Sequence, residues 1–259
     1  QIHLYGLTVK QRAPQHSIRR YEFDDWLLKR SGAPFVQHVV RRIERQRDRY
    51  VIDDEFECRY LIGAGGTACP VFRHLFRDAN PRNRSLQVVA LEHELPLAWE
   101  DPDCHLWFFE RGLPGYSWYV PKQDGYLNLG VGGIATRLKS KGQHVNTHWE
   151  HLLSRLRRRG LIGGLLELQP QGYSYYMRDR VDIGRRGNAF VIGDSAGLAT
   201  RDMAEGIGPA IRSGLRVANA IANGSDYDPG SVSAYSLPSR VSRRALEYLL
   251  LRGNMKNRG

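Results

Sequence analysis

Nothing in these 259 residues is built to cross a bilayer as a helix, because no run approaches about 18 uninterrupted apolar positions. Cysteine is scarce: Cys58, Cys69 and Cys104 are an odd number without ligand-type spacing. That excludes a disulfide scaffold and a cysteine metal site, and it fits a reducing, cytoplasmic setting. There is no metal-ligand cluster, no Ser-His-Asp order in motif context, no internal repeat and no low-complexity linker. Lysine is rare as well, six residues among 38 bases. Methionine first occurs at Met177, and the chain opens on Gln1. What is present is ordinary globular material, 41% hydrophobic and 25% charged.

The net charge is +11, from 38 bases and 27 acids, and a pI near 9.8 invites a nucleic-acid or anionic-membrane partner. The distribution argues otherwise. Arg155, Arg157, Arg158 and Arg159 sit on an amphipathic pattern whose apolar stripe is Val145, Trp149, Leu152, Leu153 and Leu156, so they read as a solvated helix face. Another +5 lies in the last twenty residues, six bases against one acid. There Val241, Ala245, Tyr248 and Leu249 recur at helical spacing, which reads as a packed C-terminal helix with a basic tail. Peripheral membrane contact stays open for that helix. No zinc-finger, RNA-recognition or helix-turn-helix signature accompanies the charge, and no nucleic-acid partner is expected. Nothing in the sequence fixes an oligomeric state.

Residues 1–13 read as irregular or strand, and Ser17 to Arg30 as a helix using Phe23, Trp26 and Leu27. Strands are expected at Val36–Ile43, Tyr50–Ile52 and Phe56–Ile62, the last ending at Gly63-Ala64-Gly65-Gly66. A strand running into glycines, with a helix after Pro70, is the layout of an α/β nucleotide-binding unit. From Leu86 onward, aromatic and β-branched strands (Leu86–Glu94, Leu106–Glu110, Tyr116–Pro121, Tyr126–Gly132) are separated by short turns, which predicts an antiparallel meander. Trp107, Phe108 and Phe109 read as core. A strand at Gly187–Ile192 and a helix over Ile207–Ala222 follow, the helix with Ile207, Ile211, Leu215, Ala218 and Ala222 on one face. The expected fold class is α/β (α+β overall): a three-layer, nucleotide-binding α/β portion interrupted by an antiparallel sheet. The expected division is 1–84, then 85–177 for the sheet and its helix, 178–222, and a C-terminal segment 223–259.

The most informative run is Phe190-Val-Ile-Gly-Asp-Ser-Ala-Gly-Leu-Ala-Thr-Arg-Asp-Met-Ala-Glu-Gly-Ile-Gly-Pro-Ala-Ile. A buried strand delivers Gly193-Asp194 at its carboxyl end, where ligands of open α/β sheets sit, and a carboxylate there accepts hydrogen bonds from a ribose or ribitol hydroxyl. Beyond it, Gly206-Ile207-Gly208 opens a helix whose backbone N–H groups favour negative charge. Glu205 reads as N-terminal helix charge.

This run resembles the second flavin-contacting motif of the geranylgeranyl reductase family, within the FAD-dependent oxidoreductases of the hydroxybenzoate-hydroxylase type. Leu113-Pro-Gly-Tyr116-Ser-Trp118-Tyr-Val-Pro121-Lys122 is similar to that family's Tyr-x-Trp-x-(Phe)-Pro motif. Asn128-Leu-Gly130-Val-Gly132 is similar to the strand that follows it. Arg20-Tyr-Glu-Phe23-Asp24-Asp-Trp-Leu27 is similar to an Arg-x-x-Phe-Asp-x-x-Leu helix whose Arg lies near the cofactor. The resemblance spans roughly Arg20 to Ala222. It implies FAD held by Arg20, Gly65, Gly66, Gly193, Asp194, Gly206, Ile207 and Gly208. It implies NAD(P)H or another reductant as electron donor, and a hydrophobic, isoprenoid-like or aromatic substrate against Tyr116, Trp118 and Pro121. It identifies no catalytic residue. Two departures stand out. Ala64-Gly65-Gly66 replaces the family's Ala-Asp-Gly, and no Gly-x-Gly-x-x-Gly fingerprint occurs, so a segment carrying it is expected to be missing from this chain, which alone should bind FAD poorly. Flavin-dependent halogenases share a Trp-x-Trp-x-(Ile)-Pro motif, but their second flavin motif differs. A monooxygenase of the same fold is the competing activity, and a non-catalytic basic protein binding anionic lipid or nucleic acid is the competing class.

Overall fold

The computed structural model describes residues 1–11, 16–164 and 167–252. Its strands are β1 (Ile2–Leu4), β2 (Leu7–Val9), β3 (Ile43–Gln46), β4 (Arg49–Ile52), β5 (Phe56–Cys58), β6 (Leu61–Gly63), β7 (Gln87–Pro96), β8 (His105–Phe108), β9 (Gly115–Lys122), β10 (Tyr126–Ile134), β11 (Gln171–Tyr176), β12 (Arg185–Arg186) and β13 (Ala189–Val191). The helices are α1 (Arg20–Ser31), α2 (Ala135–Ser140), α3 (Val145–Arg158), α4 (Ile207–Asn223) and α5 (Arg240–Arg252). The chain divides into two compact units, residues 1–37 with 89–173, and residues 38–88 with 174–259.

The first unit is built on a seven-stranded sheet in the order β11-β7-β10-β9-β8-β1-β2. Short turns make β8, β9 and β10 an antiparallel meander, with Phe108 opposite Tyr116 and Trp118 opposite Gly130. The expected division changes here. Residues 1–37 belong with the sheet rather than with 38–84, because β1 pairs in parallel with β8 (His3 opposite Trp107) and β2 folds back on β1. That pairing joins residues about a hundred positions apart, and three-residue strands carry no pattern that announces it. Period-two alternation sends Tyr119, Leu127, Leu129 and Val131 to one face, where Trp149, Leu152, Leu153 and Leu156 of α3 cover them. Of the arginines on α3, Arg155 is not simply solvated: it pairs with Glu110 and its guanidinium lies 5.1 Å over the Trp107 ring. Trp107, Phe108 and Phe109 are all buried.

Three rings stack in this core. His3, His105 and Trp107 have centroids 5.1–5.3 Å apart. One set of neutral tautomers satisfies every bond they make. The Thr8 hydroxyl donates to His3 Nδ1 (2.9 Å), His3 Nε2–H to His105 Nδ1 (2.9 Å), and His105 Nε2–H to Asp101 (2.9 Å). Burial, His105 and the nearby arginines push the His3 pKa down to about 4, and burial lowers that of His105.

The second unit holds two three-stranded sheets, β12-β13-β6 and β3-β4-β5. Tyr50, Phe72, Phe76, Val191 and Leu198 are buried in its main cluster. The strand expected at Val36–Ile43 forms instead at Ile43–Gln46, and Phe56–Ile62 splits into β5 and β6. The helix expected after Pro70 forms as a short one that starts at Pro70 and is π-helical over Phe72–Phe76. Two helices turn opposite faces inward from those their apolar spacing suggests. α4 buries Pro209, Ser213, Val217 and Ala220 and leaves Ile211 and Leu215 41% and 67% exposed. α5 buries Leu250 and leaves Val241 79% exposed. In α1, Trp26 and Leu27 are exposed and no residue is buried. Among the described residues no helix is long and apolar enough to cross a membrane, and no three or more His, Cys, Asp or Glu side chains are grouped so as to hold a metal ion.

Candidate functional site

In the second unit, β6 and β13 run parallel, with Val191 opposite Gly63. Both chains therefore leave the pair at the same end. There β6 continues into Gly63-Ala64-Gly65-Gly66, and β13 continues through Ile192 into a single 3-10 turn, Gly193–Ser195. The carboxyl end of a parallel pair is where α/β proteins bind nucleotides. A second 3-10 turn, Gly66–Ala68, and the start of α4 both pack against the Gly193–Ser195 turn.

Gly193 has φ +53° and its α-carbon sits so near α4 that an added Cβ would meet the Ala210 Cβ at 3.0 Å. Its N–H donates to the buried Ser213 Oγ at 3.0 Å, which fixes the turn on the helix. The Asp194 carboxylate is thereby carried to the mouth of α4: Oδ1 lies 3.1 Å from where a Cβ on Gly206 would be. In the first turn of α4, Pro209 has no N–H to offer, and Gly208 N–H donates to Glu205 Oε1 at 2.7 Å. Among the described residues the Ile207 N–H has no acceptor, so it is the donor this helix start presents. Gly65, Gly66, Gly193, Asp194, Gly206, Ile207 and Gly208 are thus brought to one end of one unit, with a carboxylate, a free N–H and side chains absent at the glycines. That chemistry fits the ribityl and polar ring edge of a flavin.

Two residues supporting this end escaped the sequence reading. Arg82, half-buried so that desolvation lowers its pKa, donates to the carbonyls of Asp194 (3.1 Å) and Ser195 (2.7 Å) while stacking over Phe72 at 4.1 Å. Asp202 is fully buried and accepts from the backbone N–H of Met203, Ser236 and Leu237 and from the Ser236 hydroxyl, at 2.8–3.1 Å. It pins the loop that leads from Leu198 to α4. Arg82 lies outside every motif, and Asp202, although inside the Gly-Asp run, does its pinning on backbone groups more than thirty residues away.

The other predicted residues lie in the first unit. Tyr116 and Trp118 share the sheet face opposite α3, ring centroids 5.8 Å apart, and are half-buried. The Trp118 indole lies on Gly130, where a Cβ would come within 2.0 Å of the ring, and Nε1–H donates to Asn128 Oδ1 at 2.7 Å. Asn128 Nδ2–H in turn donates to Glu92 at 2.5 Å. Pro121 does not join this wall. It stands opposite Leu127, on the covered face, because it is an odd number of residues from Trp118. A cavity of about 230 Å³ adjoins the wall, lined by Arg20, Glu92, Glu94, Lys122, Asn128 and Tyr173 among others. Arg20 pairs with Asp24 (2.8 Å), while Arg19 and Lys122 hold Glu94 at 3.1 and 3.8 Å. Burial pulls the Lys122 pKa down.

No protein-family model matches the chain. An uncharacterized protein of Methanosarcina barkeri is 31% identical over 246 residues, covering 90% of this chain and 59% of that protein. The chain thus spans about three-fifths of the curated relatives it matches. Among solved structures, the flavin-dependent halogenase CmlS superposes with a TM-score of 0.61 at 19% identity, over 90% of this chain and 45% of that one. A geranylgeranyl bacteriochlorophyll reductase-like protein from Thermoplasma acidophilum superposes with a TM-score of 0.53 at 19% identity, over 82% and 52%. The chain shares the mixed α/β fold of this flavin-dependent halogenase and this geranylgeranyl bacteriochlorophyll reductase-like protein.

Proposed function

We propose that the chain is the flavin-facing and substrate-facing part of an FAD-dependent oxidoreductase that reduces a hydrophobic, isoprenoid-like or aromatic substrate, with NAD(P)H or another reductant as electron source. One observation carries the cofactor assignment: two glycine-rich turns, the Asp194 carboxylate and the Ile207 N–H converge at the carboxyl end of one parallel strand pair. A bound flavin would supply the hydride chemistry, and the protein would orient and shield it. Asp194 would accept hydrogen bonds from ribityl hydroxyls, and the Ile207 N–H would favour negative charge at the ring's polar edge. Gly206 and Gly208 would let the backbone approach.

Tyr116 and Trp118 offer an apolar wall to the substrate. Lys122 and Glu92, at the polar end of that wall, suit a substrate with a hydrophilic head. Oxygenation of the substrate is the competing outcome. The test is anaerobic turnover of candidate alkenes with photoreduced protein. Saturated product without O₂ supports reduction, and product that forms only with O₂ and carries its label defeats it. The cofactor assignment is tested separately, through the flavin content of Asp194→Ala.

A further inference from the structure

The second unit has another concavity, about 350 Å³, between α4 and the loop that follows it. Gly193, Asp194, Gly206 and Ile207 are not among its lining residues, so it is not the flavin cradle. One wall is a stripe of α4: Arg212 and Arg216 stand one turn apart on the same face, four and eight residues beyond Gly208. The other wall is the segment 231–236 with Ser231, Ser233 and Tyr235.

The loop wall is held in place by its own bonds. Ser231 Oγ–H donates to the Asp228 carbonyl (2.6 Å), Ser233 Oγ–H to the Tyr235 carbonyl (2.7 Å), and the Tyr235 hydroxyl to Glu247 (2.7 Å). Arg216 donates to the Ser231 carbonyl at 3.3 Å, which ties its guanidinium to the rim. Arg212 makes no hydrogen bond, ion pair or ring contact among the described residues. Its fork of donors is open to the cavity it lines. Glu205 is the one acidic residue among those lining the cavity, and one of its oxygens is taken by the Gly208 N–H. Two guanidiniums against one engaged carboxylate leave the cavity positive.

We propose that this cavity is a binding site for a phosphate monoester, independent of the flavin assignment. Paired guanidiniums present several N–H donors to a tetrahedral oxyanion, and a phosphate has the acceptors to use both forks at once. The volume exceeds what the phosphoryl group alone fills, and the partly exposed Tyr235 ring gives the organic remainder an apolar surface. Arg243 backs that ring from 5.2 Å.

The experiment is calorimetric titration of the protein, with and without added FAD, with phenyl phosphate, inorganic phosphate and phenol. Phenyl phosphate should bind saturably and phenol should not. Tighter binding of phenyl phosphate than of inorganic phosphate marks an ester site, and equal binding marks free phosphate as the source. Arg212→Gln with Arg216→Gln should weaken binding about tenfold or more with an unchanged circular dichroism spectrum, since both side chains are exposed. Glu205→Gln keeps the acceptor for Gly208 and removes the opposing charge, so it should tighten binding several-fold. Absence of saturable phosphate binding, or affinity unmoved by the arginine substitutions, overturns the proposal.

Discussion

Substituting His3 by Gln should flatten the acid side of the protein's stability profile. In the folded state His3 is neutral, packed against both His105 and Trp107, and its pKa lies near 4 against an ordinary 6.5. A depressed folded value means that the unfolded chain takes up the proton first as pH falls. The stabilising contribution is therefore full above pH 6.5 and is lost progressively down to about 4. At about 1.4 kcal/mol per pH unit, the gap bounds the linkage at roughly 3 kcal/mol, of which about 2 kcal/mol has gone at pH 5. Neighbouring β2 is exposed, so water reach reduces this to roughly 1–2 kcal/mol. His105 is shifted in the same direction and adds to the effect. Urea unfolding followed by tryptophan fluorescence at pH 8 and pH 5 measures it. His3→Gln should cost about 1–2 kcal/mol at pH 8 through its broken relay and lose distinctly less than the parent between the two pH values. Equal losses in the two proteins would refute the reasoning.

Two further substitutions probe the supports of the two sites. Gly130→Ala drives a methyl group into the Trp118 ring, 2.0 Å away. It should cost about 1–3 kcal/mol in thermal unfolding and shift the tryptophan emission, and unaltered emission would show that the ring does not rest on Gly130. Asp202→Ala leaves the backbone N–H groups of Ser236 and Leu237 without their buried acceptor. A loss of roughly 3 kcal/mol is expected by thermal denaturation, together with weaker flavin retention, whereas a change below about 0.5 kcal/mol would remove Asp202 from its pinning role.

Much of this was legible in the sequence for identifiable reasons. The turn at Gln123-Asp124-Gly125 and the alternation on either side of it place β9 and β10, and the Gly-Asp run places the end of β13 against α4. The helices were harder. α4 meets the Gly193 turn through Ala210 and Ser213, small residues that allow the close approach, while its larger apolar residues Ile211 and Leu215 face outward. Apolar spacing alone therefore selects the wrong face. α5 misleads in the same way, because Glu247 is held inside by Arg201 and Tyr235 rather than solvated. Pro121 belongs to its motif in sequence yet falls on the covered face by strand parity. Arg82, Asp202 and the His3–His105 pair depend on partners 34 to 113 residues away, a range at which no local pattern speaks.

The central claim is that the end of the β6–β13 pair holds a flavin through Asp194. The direct measurement is the visible spectrum and flavin content of the protein expressed from its whole reading frame, beside its Asp194→Ala variant. The account predicts about one FAD per chain in the parent and little in the variant at unchanged circular dichroism. A colourless parent that FAD cannot reconstitute, or a variant that keeps its full complement, would contradict it.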